Sequence, residues 1–466
     1  MSHAVAAPVP PGPLSPRTRL LLEGPVARTL LWLAAPNVLV MVLQAAVSTL
    51  DAVFVGWLGS AALAGVSLVF PLVMLMQTMS AGGMGGGVAS AVARALGAGR
   101  RADADALVIH AIVIALVMGG AFTLTLELAG PALYRTMGGT DEVLSAAVAY
   151  SRVLFGGAVA YWLFNTLGSA IRGTGNMAVP ASVMVASGLL YLALSPALIL
   201  GWGPLPRLGI AGAAVASVLS FGLGSLALLG FLVAGRSLVR PVLHGRGLRR
   251  ALFWEILRVG APGALNTVFT NLTIVILTAL VGPFGATALA GYGMGARLEY
   301  LQIPIVFGLG SGLVTMVGTS IGAGDRARAV RVAWVGAGMA AGITGAIGIL
   351  AALFPHAWLG LFTADPAVLA AGTRYLTIVG PFYGFFGAGL ALYFASQGAG
   401  RLLWPLCAGF TRLVVAGAGG WLAVRGLGGG LPDLYMTMAA ALVVLGVMNI
   451  AAIHLGAWRA RDGRGA

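Results

Sequence analysis

The sequence predicts an all-α polytopic membrane protein with twelve transmembrane helices in two six-helix bundles. Three observations lead to this prediction: a very apolar composition, twelve helix-length apolar segments and an internal repeat. Of the 466 residues, 59% are hydrophobic and 9% are charged, with a mean hydropathy of +0.97. Soluble domains are about 25% charged, so the composition excludes a soluble enzyme. The apolar runs are continuous, whereas the strands of a membrane β-barrel alternate apolar and polar residues.

Twelve apolar segments are long enough to cross a bilayer as helices, which takes about 17–25 residues. We place them at 30–56, 61–90, 105–128, 143–170, 178–201, 209–234, 253–281, 286–318, 330–354, 368–395, 404–424 and 434–457. Residues 1–24 are Pro-rich and polar, which predicts a loosely ordered cytosolic tail that is not a signal peptide. Residues 459–466 predict a second cytosolic tail.

The basic residues are all arginines and are distributed unevenly along the chain. Twenty lie in the N-terminal tail or after even-numbered spans, and three lie after odd-numbered spans. Cytosolic loops carry the excess of basic residues in membrane proteins, so both termini are predicted to face the cytosol. The net charge of +14 does not predict nucleic-acid binding, because the arginines form no aromatic-interleaved patch.

The chain contains two copies of one six-helix unit. GSAALAG at 59–65 recurs as GATALAG at 285–291, an offset of 226, and GAGRRA at 97–102 recurs as GAGDRA at 322–327, an offset of 225. Because six is even, both copies insert in the same direction, and a pseudo-two-fold axis along the membrane normal relates them. The predicted lobes are 25–234 and 251–458, joined by a flexible, basic cytosolic linker at 235–250.

Two equivalent bundles around a central cleft predict a transporter that works by alternating access. The chain has no lysine and therefore no Walker A motif, so coupling to an ion gradient or passive transport is expected. Cys407 is the only cysteine, which excludes an internal disulfide and argues against a Cys-based metal site. We expect no cofactor, a functional monomer, and small organic molecules and the lipid bilayer as partners.

Asp51 is the strongest candidate for a coupling residue. It lies inside span 1, whereas most of the thirteen acidic residues lie in loops. An acidic residue near the centre of a membrane helix costs about 2.5–3.5 kcal/mol to insert and usually faces the bundle interior or water. Burial disfavours the anion, so such a carboxyl group can load and release a proton. The alternative is a structural Asp51 held by nearby hydroxyls, such as those of Thr49 or Ser48.

Further candidates line the predicted cleft or bend its helices. Pro36 interrupts span 1, so we expect protonation of Asp51 to act through a bend of this helix. Unpaired polar groups in hydrocarbon are costly, so those on spans 1 and 7 are expected at the cleft. Together with groups on spans 4, 8 and 10, the candidate cleft residues are Asn37, Gln44, Tyr161, Asn266, Thr270, Arg297, Glu299 and Tyr383.

Three smaller features carry expectations of their own. Arg297 and Glu299 are two residues apart and do not share a helix face, so each is expected to pair with another group, in a structural contact or at the cleft. Arg412 lies near the cytosolic end of span 11, where snorkelling to the surface is expected. The glycine-rich run at 80–90 follows no strand and predicts close helix packing rather than a phosphate loop.

Several motifs together resemble the multidrug and toxic compound extrusion (MATE) family over about residues 25–458. They are the two repeats and their linker, AAP…Q…D…VGWLG in span 1, the GAGRR and GAGDRA pair, and RGTGN…P after span 4. Within the family the chain looks most like the prokaryotic DinF-like branch, which implies a location in the plasma membrane of a prokaryote. The resemblance implies antiport, in which a proton or sodium ion enters while an organic, often cationic, compound leaves. It also implies that Asp51 matches the essential carboxylate of the first helix.

The sequence departs from sodium-associated relatives on spans 5 and 6. Their Asn and Asp of the fifth helix are Tyr191 and Ser195 here, and the Thr of their sixth helix appears as Ser217. Loss of an anionic ligand disfavours a hard cation, so we expect proton exchange at Asp51, with these three residues nearby. Thr270 stands where the other prokaryotic branch has an acid, so the second lobe is expected to lack a cation site.

The sequence therefore predicts a proton-coupled exporter of amphipathic, often cationic, organic compounds, and not an enzyme. A sodium-coupled exporter is the first alternative. A flippase for lipid-linked saccharides would need a cationic cleft for pyrophosphate, for which Arg297 alone gives little support. A membrane-embedded transferase would need Asp-rich metal motifs or a His-Asp pair, and the sequence contains neither.

Overall fold

The computed structural model describes residues 15–203, 205–243 and 247–458, except for the side chains at 41, 42, 45 and 48. In these residues, twelve long helices correspond one to one to the predicted spans. Ten of the helices in these residues are long and apolar enough to cross a membrane, and a pair bent by 46° makes one further span. The remaining apolar helix is the one that corresponds to span 1. The twelve helices are named in chain order. They are α1 Val26–Gly56, α2 Ser60–Gly97, α3 Arg101–Thr136, α4 Asp141–Gly156 with Ala158–Gly173, α5 Ala178–Leu200, α6 Ile210–Val233, α7 Arg250–Phe284, α8 Ala286–Gly322, α9 Arg326–Leu353, α10 Pro366–Ala399, α11 Leu403–Gly426 and α12 Leu431–His454. The predicted all-α polytopic fold is confirmed.

Local sequence sets several of the helix ends. Gly201 and Gly400 end α5 and α10 in the left-handed region, at φ of 77° and 73°, which glycine adopts without strain. The carboxylates of Asp325 and Asp365 accept hydrogen bonds from backbone N–H groups in the first turns of α9 and α10, so these aspartates act as N-caps.

The two lobes repeat a close contact between helices as well as their sequence. In the first lobe, a Cβ added to Gly65 of α2 would lie 2.8 Å from the Cβ of Ala146 in α4. In the second lobe, the counterpart Gly291 of α8 packs in the same way against Ala371 of α10, at 2.7 Å. Small residues let membrane helices approach this closely. The sequence repeat is therefore also a repeat of helix packing.

The lobes meet along the second half of α2 and its counterpart in α8. Twelve of the thirteen residues from Gly85 to Gly97 are buried. A Cβ on Gly97 would lie 2.8 Å from the carbonyl carbon of Thr319, and a Cβ on Gly322 would lie 2.9 Å from that of Arg94. Gly322 is the repeat counterpart of Gly97, so the two contacts are reciprocal. The glycine-rich run thus packs helices closely, as expected.

The lobes are closed at one end of the molecule and less enclosed at the other. In the first half of α2, Ser60–Thr78, five of 19 residues are buried, in contrast to the second half. The closed end is where α2 and α12 end and where the linker joins the lobes. Most of the arginines lie there, so it is named the arginine-rich end.

Part of the predicted N-terminal tail is ordered. Pro16–Glu23 forms a helix, named the tail helix, in which Leu21 is buried. Arg328 of α9 donates hydrogen bonds to the carbonyl oxygens of Leu21, at 3.0 and 3.1 Å, and Gly24, at 2.7 Å. The expectation of a loosely ordered tail is wrong for this helix, because these contacts tie it to the second lobe. Residues 1–14 and 459–466 lie outside the described residues.

The basic linker is attached to α3 at two points. The carboxylate of Asp105 accepts a hydrogen bond from the backbone N–H of Arg240 at 2.8 Å, and Nε2 of His110 accepts one from the N–H of Arg249 at 2.8 Å. The guanidinium of Arg249 also pairs with Asp103. His110 is fully buried. The linker is therefore fixed to the first lobe near both ends, instead of being flexible throughout.

Candidate functional site

Asp51 lies in the second half of α1 and contacts α5. Its carboxylate accepts a hydrogen bond from the hydroxyl of Tyr191, which is buried, while Asp51 itself is partly exposed. None of the salt bridges among the described residues involves Asp51. The structure thus brings two of the four predicted coupling residues into direct contact, and the partner of the carboxylate is neutral.

The remaining two coupling candidates lie on the helices beside this contact. Ser195, one turn after Tyr191 in α5, is fully buried. Ser217 of α6 is hydrogen-bonded to the hydroxyl of Tyr161 in α4. The ring of Tyr161 stacks on Phe221 with centroids 4.2 Å apart. The helices beside the contact between Asp51 and Tyr191 therefore carry further hydroxyls and aromatic rings.

The polar candidates on α1 occupy different environments. Asn37 is buried, and its side-chain amide donates to the hydroxyl of Ser311 in α8 at 2.7 Å. This bond joins the two lobes. Gln44 is partly exposed. Pro36 lies within a helix that runs unbroken from Val26 to Gly56. A proline leaves the carbonyl one turn before it without its helical partner, so α1 retains a point of weaker backbone bonding.

The polar candidates on α7 bond within the second lobe. The hydroxyl of Thr270 donates to the carbonyl oxygen of Asn266 at 3.0 Å. The side-chain amide of Asn266 packs against Gly409 of α11, and its Oδ1 is buried without a partner among the described residues. Within the described residues, neither Thr270 nor Asn266 bonds to the first lobe.

The second lobe contains an acidic group with a very different partner from that of Asp51. Glu299 of α8 forms a salt bridge with Arg412 of α11 at 3.1 Å, and both side chains are more than four-fifths buried. The hydroxyl of Tyr375 donates to Glu299 at 3.4 Å. Arg412 therefore does not snorkel to the surface as expected, because a buried carboxylate on the neighbouring helix holds it inside the lobe.

Arg297 and Tyr383 complete the set of candidates. Arg297 is exposed, and its guanidinium lies 5.5 Å from the ring centroid of Phe362. Glu299 and Arg297 thus have separate partners. Tyr383 is fully buried in the core of the second lobe. Sequence reasoning missed the contact between Glu299 and Arg412, although a charged residue inside an apolar span is itself a signal for a buried partner.

The sequence model of the MatE family matches residues 36–197 and 262–422. The chain belongs to the MATE family of multidrug efflux transporters. The probable multidrug resistance protein YoeA of Bacillus subtilis is 30% identical over 395 residues, which cover 82% of this chain and 83% of that protein. The FAD transporter of Shewanella oneidensis is 27% identical over 440 residues, which cover 91% and 95%.

A solved structure described as the outward-facing conformation of a multidrug resistance MATE family transporter superposes on this chain with a TM-score of 0.85. It is 25% identical and covers 96% of this chain and 99% of its own. The two segments matched by the MATE family fall one in each lobe. The resemblance inferred from the sequence is confirmed, and with it a multi-pass membrane transporter.

Proposed function

We propose that this MATE protein exports amphipathic, often cationic, organic compounds in exchange for protons, and that Asp51 carries the proton. In this proposal the arginine-rich end faces the cytosol, so the lobes are closed toward the cytosol and Asp51 is accessible from outside. The contact between Asp51 and Tyr191 is the observation that carries the proposal. It provides a partly exposed carboxylate inside a membrane helix with one neutral hydrogen-bond donor.

Protonation of Asp51 changes both charge and hydrogen bonding. The neutral acid no longer attracts a cationic substrate through the low-dielectric cleft. It also becomes a hydrogen-bond donor, so its bond with Tyr191 must reorganise. Because Tyr191 lies on α5, this reorganisation moves α1 relative to α5, and Pro36 provides the point where α1 bends. Proton entry from outside is thereby linked to release of the substrate.

A sodium-coupled exporter is the alternative within the same family. Sodium is a hard cation that prefers several oxygen ligands with formal negative charge. Tyr191 and Ser217 offer neutral hydroxyl oxygens, and Asp51 offers the single carboxylate of this group. A proton needs only that carboxylate, so the residues favour proton coupling.

An anionic dinucleotide is a second candidate substrate class, suggested by the FAD transporter of Shewanella. It is favoured by Arg172 of α4, which lines a narrow cavity between the lobes. Its guanidinium donates to the hydroxyl of Ser169 at 2.6 Å, and no salt bridge among the described residues involves it. A partly buried guanidinium without a carboxylate partner among the described residues is suited to an anionic group.

Efflux from proteoliposomes with independently clamped proton and sodium gradients tests the proposal. We expect a proton gradient to drive export of a cationic dye by the wild type and by Asp141→Asn, a matched control at an exposed carboxylate in the first turn of α4. Asp51→Asn should abolish this export while folding normally, and efflux at the wild-type rate would refute the role of Asp51. Export driven by sodium alone would support a sodium-coupled exporter, and movement of FAD instead of the dye would support an exporter of anionic dinucleotides. Movement of lipid would support a flippase.

A further inference from the structure

A cavity of about 390 Å³ lies at the arginine-rich end where the two lobes meet. It is named the arginine cavity, because four arginines line it together with two tryptophans: Arg94, Arg258, Arg326, Arg401, Trp254 and Trp458. Arg94 belongs to the first lobe, whereas the other five residues follow the linker. The cavity is therefore complete only while the lobes are closed at this end.

Two of the guanidinium groups converge on one point. Arg94 is 5% exposed, and its guanidinium donates to the carbonyl oxygens of Gly398 and Glu255, both at 3.3 Å. Gly400 has a positive φ of 73°. A Cβ added to Gly400 would lie 3.1 Å from Nη1 of Arg94 and 3.5 Å from Nη2 of Arg258. The two charges thus face each other across space that a glycine leaves empty.

The ion pairs and caps formed by the neighbouring carboxylates lie outside the cavity, although Oε2 of Glu255 is buried without a hydrogen-bond partner among the described residues. Glu255 faces Arg100 at 3.5 Å, Asp103 pairs with Arg100 at 3.0 Å and with Arg249, and Asp325 caps the first turn of α9. No salt bridge in the described part of the chain involves any of the four arginines of the cavity. Like charges held this close repel each other. An anion in the cavity would remove that repulsion.

We propose that the arginine cavity binds a phosphate group, and that the bound group holds the two lobes together at this end. Guanidinium groups match phosphate oxygens in geometry and charge. The phosphate comes either from the headgroup of an anionic lipid, which basic pockets between membrane helices bind, or from a free phosphate anion. A ligand that contacts both lobes binds the closed state better and therefore increases its population. The effect of the ligand on closure of the lobes rests on the proposed alternating access, whereas binding of the phosphate group does not.

Binding is tested on the purified full-length protein by thermal unfolding. In detergent, inorganic pyrophosphate is titrated at constant ionic strength, balanced with sodium chloride. In phosphatidylcholine nanodiscs, the same measurement is made with and without phosphatidylglycerol. The variants are Arg258→Gln and Arg401→Gln, whose side chains are exposed, so that folding is retained. Arg331→Gln, exposed on α9 outside the cavity, is the matched control.

We expect the anion to stabilise the wild type and the control, and each cavity variant to weaken its apparent affinity by about tenfold or more. Stabilisation by pyrophosphate identifies a soluble ligand, and stabilisation by phosphatidylglycerol alone identifies a lipid. No stabilisation by either, or an equal loss in Arg331→Gln, would overturn the site.

The effect on the lobes is measured by labelling a cysteine at the lobe interface. Ala89→Cys is introduced together with Cys407→Ser, since Ala89 is 6% exposed and packs in the same core as residues of the second lobe. We expect the anion to slow labelling at least fivefold, and this protection to disappear in Arg258→Gln. Anion binding with unchanged labelling would overturn the coupling to closure while leaving the binding site and the proposed transport function standing.

Discussion

An alanine at Gly97 or Gly322 is expected to separate the lobes at the arginine-rich end. The Cβ added at Gly97 would lie 2.8 Å from the carbonyl carbon of Thr319 and closer to its oxygen, and the Cβ at Gly322 would meet the backbone of Arg94 in the same way, at 2.9 Å from its carbonyl carbon. These atoms belong to helix backbones, which cannot rotate away as a flexible side chain can. The clash is therefore relieved by moving one lobe away from the other.

The size of the effect follows from the cost of overpacking. Forcing an extra methyl group into a packed interior costs about 1–3 kcal/mol. The clash exists only while the lobes touch, so this energy penalises the closed state alone. The ratio of open to closed molecules should then rise by about 5- to 150-fold. Gly338→Ala in α9 is the matched control, because no atom lies within 4 Å of its added Cβ.

Cysteine labelling at position 89 measures the outcome. In the background of Ala89→Cys and Cys407→Ser, labelling should be about 5- to 150-fold faster with Gly97→Ala or Gly322→Ala. Gly338→Ala should label at the parent rate, although it gains the same helix propensity, worth about 1 kcal/mol. Gel filtration of each variant distinguishes opening from unfolding. Equal labelling rates in folded samples of all three variants would refute the reasoning that these glycines form the closing contact.

Three further perturbations address contacts elsewhere in the chain. Arg412→Gln leaves Glu299 buried without its cation, so we expect a loss of up to about 3–5 kcal/mol in unfolding free energy, measured by chemical denaturation. The double variant with Glu299→Gln should recover part of this loss. Strictly additive losses of the two single variants would contradict the pairing. His110→Phe leaves the backbone N–H of Arg249 without its acceptor, which costs about 1–3 kcal/mol in unfolding free energy. Trypsin should therefore cleave the linker faster than in the wild type. Arg328→Gln removes three hydrogen bonds to the carbonyls of the tail helix and its end, and limited proteolysis there should accelerate several-fold; an unchanged rate would show that the tail helix is held by apolar packing alone.

The helices were predictable because apolar length determines where a chain crosses a membrane. The residues at which the helices end were less predictable. Span 2 was predicted to end at 90 and span 8 at 318, whereas the helices continue to Gly97 and Gly322. Hydropathy marks only the part in the bilayer, but helical hydrogen bonding continues beyond it until a glycine or a loop ends it. The tail helix was missed because its buried contacts come from a helix some three hundred residues away, which no local pattern reveals.

The candidate site was predictable only where a single residue carries the signal. Asp51 stands out because charges inside membrane helices are rare, and Tyr191 was placed beside it by the family resemblance. The pairing of Glu299 with Arg412 joins residues 113 positions apart, so no spacing rule connects them. Snorkelling was the wrong expectation for Arg412 because it treats a helix alone in lipid, whereas this guanidinium faces a neighbouring helix.

The different partners of Asp51 and Glu299 support placing the proposed coupling in the first lobe. In the repeat, the counterpart of Asp51 is Leu277 and the counterpart of Glu299 is Val73, so each acid is unique to its lobe. Protonating Glu299 would leave Arg412 as a buried cation without a partner, which costs about 3–5 kcal/mol. Among the described residues, the hydrogen-bond partner that a protonated Asp51 leaves behind is the neutral hydroxyl of Tyr191. The proposed proton coupling therefore fits Asp51 better than Glu299, whose salt bridge with Arg412 is a fixed contact between α8 and α11.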